Sequence, residues 1–193
     1  MSLRLPASER REQLLTISLS VFARDGYHET SMNDVADAAG VTKPVLYQHF
    51  DSKHELYLAL LEDSGDRLVS LITTATSEAA NPHDQVRRGF AAYFCWVAND
   101  TPAFQLLFGG GHRNDEFAEA IRRVEDHVAA AIAPLIRADI DPDHQRTLAF
   151  GIIGLAETVS RRLVAEGTTF DPLVVSAQVA DLVWAGLRTV HRV

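Results

Sequence analysis

The sequence predicts an all-α fold of about nine helices. Apolar residues recur at helical spacing along most of the chain, and no stretch shows the strict apolar–polar alternation of a half-buried strand. Short breaks that contain glycine, proline or a capping side chain separate the apolar segments. The predicted helices cover approximately residues 8–24, 32–38, 43–49, 52–74, 83–98, 102–108, 115–138, 143–165 and 172–190.

The first helices are separated by clear local signals. The pair Asp25-Gly26 ends the first helix, because glycine adopts a positive φ without strain. Ser31 is a suitable N-cap for the second helix, and Gly40 supplies a positive-φ turn after it. Pro44 falls in the first turn of the third helix, where a missing N–H breaks no intrahelical hydrogen bond.

The helices after the third are longer and more apolar. The pair Asn81-Pro82 interrupts the pattern before the fifth helix, and the sequence GGGHRN at residues 109–114 is the clearest interior loop. This change in helix length predicts two domains. We expect a helix-turn-helix head at residues 1–55 and a larger ligand-binding and dimerisation body at residues 56–193.

Composition excludes several classes of protein. The chain has 193 residues, with 18 Lys and Arg, 26 Asp and Glu and a formal net charge of −8. Its single cysteine, Cys95, excludes a disulfide framework or a cysteine-based zinc site within one chain. No apolar run approaches the roughly 18 residues of a membrane-spanning helix, and the N-terminus has no apolar signal-peptide core. We therefore expect a cytoplasmic protein with no membrane partner.

The segment 40–56 has an unusual charge distribution. An acidic chain argues against nucleic-acid binding, yet the only two lysines of the protein, Lys43 and Lys53, both lie in this segment. Two short helices joined by a glycine turn form a helix-turn-helix, whose second helix enters the major groove in DNA-binding versions. Because the head as a whole is acidic, any basic surface must come from geometry.

The start of the third helix carries groups suited to DNA. Thr42 is placed to cap the helix, whose free N–H groups favour a phosphate. Lys43 can reach a guanine edge or a phosphate, and Pro44 and Val45 can contact a thymine methyl group.

The rest of this helix divides into outward polar and inward apolar positions. Tyr47, His49 and Lys53 can donate to phosphates, and Gln48 can do the same or read an adenine. Two apolar positions four residues apart are expected to face the core of the head: Leu46 and Phe50. Most pairs of short helices with a glycine turn do not bind DNA, so a purely structural role is the alternative.

The segment 30–56, TSMNDVADAAGVTKPVLYQHFDSKHEL, resembles the DNA-binding head of the tetracycline-repressor (TetR) family. The resembling elements are the glycine-valine turn, the L-Y-x-H-F motif and a lysine three residues after the phenylalanine, followed by an acidic residue and leucine. The segment 21–31, VFARDGYHETS, also resembles the end of that family's first helix. Beyond the head, only the number and length of the helices match.

The resemblance implies a homodimeric, all-α transcriptional regulator that places its third helix in the major groove of a palindromic operator. The positions that touch bases or the adjacent backbone in the family are here Lys43, Pro44, Val45, Tyr47 and Gln48. The positions that hold phosphates are here Ser31, Thr42, Tyr47, His49 and Lys53. Because Val45 is small and apolar, we expect few direct hydrogen bonds to bases.

The resemblance also implies a small-molecule pocket in the body. Aromatic residues concentrate in the fifth to seventh helices, where ordinary core packing is the alternative explanation. Effector sites are mostly apolar with a few polar groups. The residues expected to line the pocket are Phe90, Tyr93, Phe94, Phe104, Gln105, Phe108, His112 and Phe117. The glycine loop beside them is expected to be a hinge or a simple connector.

Family members usually dimerise through their last two helices. In this chain the eighth helix contains Gly151 and Gly154, which permit close backbone approach, beside an apolar face. The alternative is that these helices only close the core of the monomer. The residues expected at the dimer interface are Ile152, Leu155, Val159, Leu163, Val179, Val183 and Leu187.

Catalytic and metal-binding patterns are missing from the sequence. The acidic run at residues 139–143 mimics the start of a calcium loop, but His144 and Phe150 occupy the positions that need glycine and glutamate. We predict an interhelix turn there, and we expect no enzyme activity, metal or cofactor.

Two functions remain from the sequence. The first is a ligand-responsive DNA-binding regulator, a repressor released from its operator by a small, largely apolar effector. The long fourth helix would transmit a shift in population between two conformations of the body. The alternative is a helical ligand-binding or protein-interaction module whose head does not bind DNA.

Overall fold

A computed structural model of the chain describes residues 6–109, 115–167 and 169–190. These ranges contain helices and turns and no strand. The α-helices are α1 (Ala7–Asp25), α2 (Met32–Ala38), α3 (Lys43–Tyr47), α4 (Lys53–Ser77), α5 (Pro82–Asn99), α6 (Thr101–Phe108), α7 (Asp115–Ile132), α8 (Pro142–Ala165) and α9 (Pro172–Leu187).

The head is formed by α1, α2, α3 and the start of α4. Its core includes Leu14, Val35 and Leu46, all of which are fully buried, and Phe50 is almost completely buried. This confirms that Leu46 and Phe50 hold the third helix to the head. Gly40, between α2 and α3, has a φ of +63°, as expected for the turn of a helix-turn-helix.

Helix α4 joins the head to the body. Its 25 residues span about 37 Å at the usual rise per residue. It packs against α1 in the head and against α5 and α7 in the body. The contact with α7 is close at Gly65, where an added Cβ would lie 2.8 Å from Val124 Cγ1.

The body packs α5 between α4 and α9, and α7 between α4 and α8. Its interior contains Phe94 and Val97 of α5 together with Phe104 of α6, all with essentially no exposure. Helix α6 of the body also packs against α1 of the head. Within the described ranges, no helix is long and apolar enough to cross a membrane.

Most helix boundaries lie within a few residues of the predicted ones. The largest difference is at α7, which ends at Ile132 instead of residue 138 and continues as a 3₁₀ turn at Ala133–Leu135. Pro134 explains the early end, since it has no N–H to extend the helical ladder. The acidic turn before α8 is confirmed: Asp141 accepts a 2.9 Å hydrogen bond from the backbone N–H of His144.

Candidate functional site

The third helix of the head presents one face to its core and the other to solvent. Lys43, Pro44 and Gln48 are exposed, and Tyr47 is 40% exposed although it is a large aromatic side chain. The Lys43 ammonium lies 5.8 Å from the centre of the Tyr47 ring, so the two form one outward patch. The Lys43 cation, the Tyr47 ring and the Gln48 amide are together suited to a surface that contacts phosphates and base edges.

The residues around this patch differ in their exposure and in their hydrogen bonds. Thr42 is exposed at the N-cap of α3, but its side chain makes no capping hydrogen bond, contrary to the expectation from the sequence. Val45 and His49 are half-buried at the edges of the patch. The backbone N–H groups of Val45 and Leu46 donate to the Thr42 carbonyl in the first turn of α3.

Ser31 forms a capping box at the start of α2, as its sequence position predicted. Its hydroxyl oxygen accepts from the Asp34 N–H at 3.3 Å, while the Ser31 N–H donates to the Asp34 carboxylate at 2.8 Å. The Ser31 hydroxyl also donates to that carboxylate, and these bonds hold the pKa of Asp34 below its usual value. The hydroxyl proton expected at a phosphate is thus directed to Asp34.

Lys53 points inward, unlike Lys43. Its ammonium donates to the carbonyl oxygens of Tyr27 at 2.8 Å and Thr30 at 2.9 Å, with His28 at 3.4 Å. It also lies 4.4 Å from the centre of the Tyr27 ring. This corrects the expectation that Lys53 holds a phosphate, because its donors close the turn between α1 and α2 instead.

Phe117, expected in the pocket, lies instead where the head meets the body. It is 2% exposed at the start of α7, with its ring centre 4.7 Å from that of Tyr27 and 4.5 Å from that of Tyr57. The carboxylate of the neighbouring Glu116 lies 2.8 Å from His54 Nδ1. We call Tyr27, His54, Tyr57, Glu116 and Phe117 the junction cluster. Burial within it raises the pKa of Tyr57.

The body contains an apolar cavity of about 770 Å³, counting its opening to solvent. Like most small-molecule sites, it is concave and lined mainly by apolar side chains. Helix α4 contributes Leu68, Ile72 and Thr76 to its wall. The 3₁₀ turn contributes Leu135, and the following residue, Ile136, completes that side.

Three of the residues expected in the pocket lie on its wall: Phe90, Tyr93 and Phe108. Phe94 and Phe104 are buried in the core away from the cavity. Gln105 is exposed on the outer side of α6, and His112 lies outside the described residues. Helical spacing explains these differences, since α5 and α6 are buried on more than one side and only one side faces the cavity.

Several residues expected at a dimer interface face inward. Ile152, Val183 and Leu187 line the cavity, and Val179 is buried within the monomer. The sequence pattern marked the apolar positions of α8 and α9 without separating their two sides. Leu155, Val159 and Leu163 are half-buried.

Helices α8 and α9 also expose large apolar side chains, among polar ones such as Arg161 and Asp181. An added Cβ at Gly151 or Gly154 of α8 would meet no atom within 4 Å. The large apolar side chains exposed on these helices are Phe150, Leu173, Val174 and Leu182. We call these four residues, with Gly151 and Gly154, the outer apolar face.

Sequence reasoning missed the aliphatic and polar residues of the cavity wall. Leu68, Ile72 and Ala156 have the periodicity of ordinary core positions, so no local signal separates them from it. The polar members Gln85 and Glu157 sit at buried or half-buried positions of amphipathic helices. A polar residue on an apolar stripe was the one available signal.

A helix-turn-helix head joined to a cavity-bearing helical body defines a ligand-responsive, DNA-binding transcriptional regulator. Residues 14–60 match the model of bacterial regulatory proteins of the tetR family, and residues 82–186 match that of a tetracyclin repressor-like C-terminal domain. The chain belongs to the TetR family. This confirms the resemblance seen in residues 30–56 and extends it to the body.

Similar proteins include both activators and repressors of transcription. The transcriptional activator FasR of Mycolicibacterium smegmatis is 32% identical over 187 residues, which cover 95% of this chain and 85% of that protein. The repressor KstR2 of Rhodococcus jostii is 29% identical, covering 95% and 94% of the two chains. The regulator FadR of Bacillus subtilis, solved with stearoyl-CoA, has the same fold, with a TM-score of 0.76, 17% identity and coverage of 89% and 96%.

Proposed function

We propose that the protein is a cytoplasmic homodimer that binds a palindromic operator and is released when an effector with a long apolar chain enters the body. Acyl-CoA is the proposed class of effector. The observation that carries this proposal is the apolar cavity, whose wall includes the helix that begins in the head. The proposed domains are a DNA-binding head at residues 1–55 and a body at residues 56–193.

The proposed DNA surface is the outward face of α3 and its surroundings. Lys43 supplies the cation that the exposed patch presents, and Tyr47 and Gln48 supply hydrogen-bonding groups beside it. The surface comprises Thr42, Lys43, Pro44, Val45, Tyr47, Gln48 and His49, with Ser31 at its edge. Lys53 supports the surface from behind by fixing the turn before α2.

Coupling between effector and operator is proposed to run through α4. An occupant of the cavity would touch Leu68, Ile72 and Thr76, on the same helix whose first turn belongs to the head. The effector needs a higher affinity for a body conformation that spaces the two heads wrongly for half-sites about 34 Å apart. The junction cluster holds α4 to α7 and so makes the head follow the body.

The acyl class of the effector is supported by the cavity wall and by a protein of the same fold. Aliphatic and aromatic side chains form most of the wall, and its polar members are Thr76, Gln85, Tyr93 and Glu157. Thr76 donates its hydroxyl to the Ile72 carbonyl at 2.8 Å. FadR of Bacillus subtilis was solved with stearoyl-CoA, so this fold accommodates such a ligand.

Filling the cavity is expected to abolish the effector response. In Ala156→Phe, a ring replaces a methyl group that is 5% exposed on the cavity wall. We expect unchanged affinity for the DNA upstream of the protein's own gene, measured by fluorescence anisotropy, and no release by palmitoyl-CoA. Release of the variant at the wild-type concentration of palmitoyl-CoA would contradict the proposal. Exposed Ala38→Phe, on α2, is the matched control for added aromatic surface.

The outer apolar face is the proposed dimer surface. Its exposed leucines and valine would be unusual on a monomer, and the two glycines let a partner helix approach the backbone of α8. Leu155, Val159 and Leu163, which are half-buried, are proposed at its margin.

Leu182→Glu is expected to produce a monomer at micromolar concentration. Leu182 is 63% exposed, so the substitution leaves the core of the monomer intact while placing a charge in the proposed interface. Sedimentation velocity measures the change. Ala38→Glu introduces the same charge at an exposed site in the head and should sediment as a dimer. If the Leu182→Glu protein is still a dimer, the dimer interface lies on another surface.

Activation is a second candidate for the sign of regulation, because the similar FasR is a transcriptional activator. We propose that the protein represses transcription. Release from the operator by the effector is expected for a repressor and for an activator alike. Transcription from the upstream DNA with and without the protein separates them. An absence of salt-dependent binding to that DNA would instead favour a ligand-binding module with an inactive head.

A further inference from the structure

The hydroxyl groups of Tyr93 and Ser160 are buried without a hydrogen bond. Tyr93 of α5 is 7% exposed and lines the cavity, and Ser160 of α8 is fully buried. Neither hydroxyl has a hydrogen-bond partner within the described part of the chain. Burial raises the pKa of Tyr93, and the neighbouring Ser160 hydroxyl opposes part of that rise, although the two hydroxyls do not meet hydrogen-bond geometry with each other. Buried hydroxyls without a partner are rare because losing water without replacement costs free energy.

Ser160 lies next to the cavity-lining part of α8. Ser160 follows Ala156 by four residues and Glu157 by three, and both of those line the cavity, so the three share one face of the helix. Ser176, a buried serine on neighbouring α9, is different: its hydroxyl donates to the Leu173 carbonyl at 2.9 Å. Tyr93 therefore belongs to the wall that an effector would contact, and Ser160 lies directly behind that wall, one helical turn from Ala156 and Glu157.

The charges beside the pair favour a neutral partner. Among the described lining residues none is Lys or Arg, and the carboxylate of Glu157 is on the wall. The guanidinium of Arg161 influences Tyr93, but it is already paired with Glu157. A buried carboxylate would lose its hydration and meet Glu157. The side chain of Arg161 is 52% exposed, so only this side chain separates the Tyr93 region from solvent.

We propose that Tyr93 and Ser160 form a polar subsite that binds the carbonyl oxygen of an ester or thioester in the effector. Such an oxygen has two lone pairs and accepts from both hydroxyls at once. The alkyl chain would occupy the apolar part of the cavity, and the remainder of a thioester would leave toward Arg161. This subsite rests on the proposed function, since both require an acyl effector in the cavity.

The test compares palmitoyl-CoA with S-hexadecyl-CoA, a thioether that lacks the carbonyl oxygen. Isothermal titration calorimetry on the full chain measures both affinities for wild type, Tyr93→Phe, Ser160→Ala and Ser176→Ala. We expect wild type and Ser176→Ala to prefer palmitoyl-CoA about tenfold, as one or two hydrogen bonds allow. We expect Tyr93→Phe and Ser160→Ala to bind both ligands with similar affinity.

Thermal unfolding of the unliganded proteins gives a second measurement. Tyr93→Phe removes an unsatisfied hydroxyl and should keep or raise the Tm, whereas Ser176→Ala removes a satisfied one and should lower it.

The outcomes separate the subsite from the proposed function. Equal wild-type affinities for the two ligands, or a preference that survives in Tyr93→Phe, would overturn the subsite and leave the effector class standing. If neither ligand binds wild type, the proposed effector class fails and the subsite fails with it.

Discussion

Lys43→Met is expected to weaken operator binding by about tenfold and to flatten its dependence on salt. Lys43 is exposed on the outward face of α3, next to the Tyr47 ring, and its ammonium has no carboxylate partner within the described residues. Each lysine–phosphate contact contributes about one unit to the slope of log K against log salt. A dimer should therefore lose about two units. Fluorescence anisotropy at a series of salt concentrations measures both effects, and the Tm should be unchanged.

Lys53→Met is the matched control, because Lys43 and Lys53 are the only lysines of the chain. Its ammonium donates to backbone carbonyls, so we expect the free energy of unfolding to fall by about 1.5–3 kcal/mol. Below the Tm of the variant, the salt slope of DNA binding should match that of wild type. A flattened slope in Lys53→Met with an unchanged Tm would show that Lys53 contacts a phosphate after all.

Phe117→Ala is expected to destabilise the protein and to uncouple the effector from the operator. Phe117 is 2% exposed and packs against Tyr27 of the head and Tyr57 of α4. Removal of a buried phenylalanine ring costs about 3–5 kcal/mol. Urea denaturation measures this loss. The ratio of operator affinities with and without palmitoyl-CoA, which measures the coupling, should approach one.

A milder substitution separates coupling from stability. Phe117→Leu keeps most of the apolar volume but loses the ring contacts, so the protein should fold while its coupling decreases. Val97→Ala, at a fully buried site of α5 away from the cavity and the junction cluster, destabilises the body without touching the junction. It should keep the wild-type coupling. Equal coupling in Phe117→Leu and Val97→Ala would exclude the junction cluster as the connection.

Much of the head was predictable because its determinants are local. Ser31 caps α2 through a residue three positions away, and Gly40 turns the chain through its own φ. Leu46 and Phe50 reach the core because they lie four residues apart on a helix whose other face is polar. Such signals act within one or two helical turns, so they can be read from the order of residues alone.

The sequence by itself determined the all-α fold, nearly all helix boundaries and the family, since periodicity, caps and motif spacing are properties of neighbouring residues. Only the tertiary structure decided which part of the molecule each side of a helix contacts. It turned Lys53 inward, placed Phe117 at the junction and directed Ile152 and Val183 into the cavity. The physical reason is that periodicity marks a side chain as buried, whereas its partner comes from a helix distant in the chain.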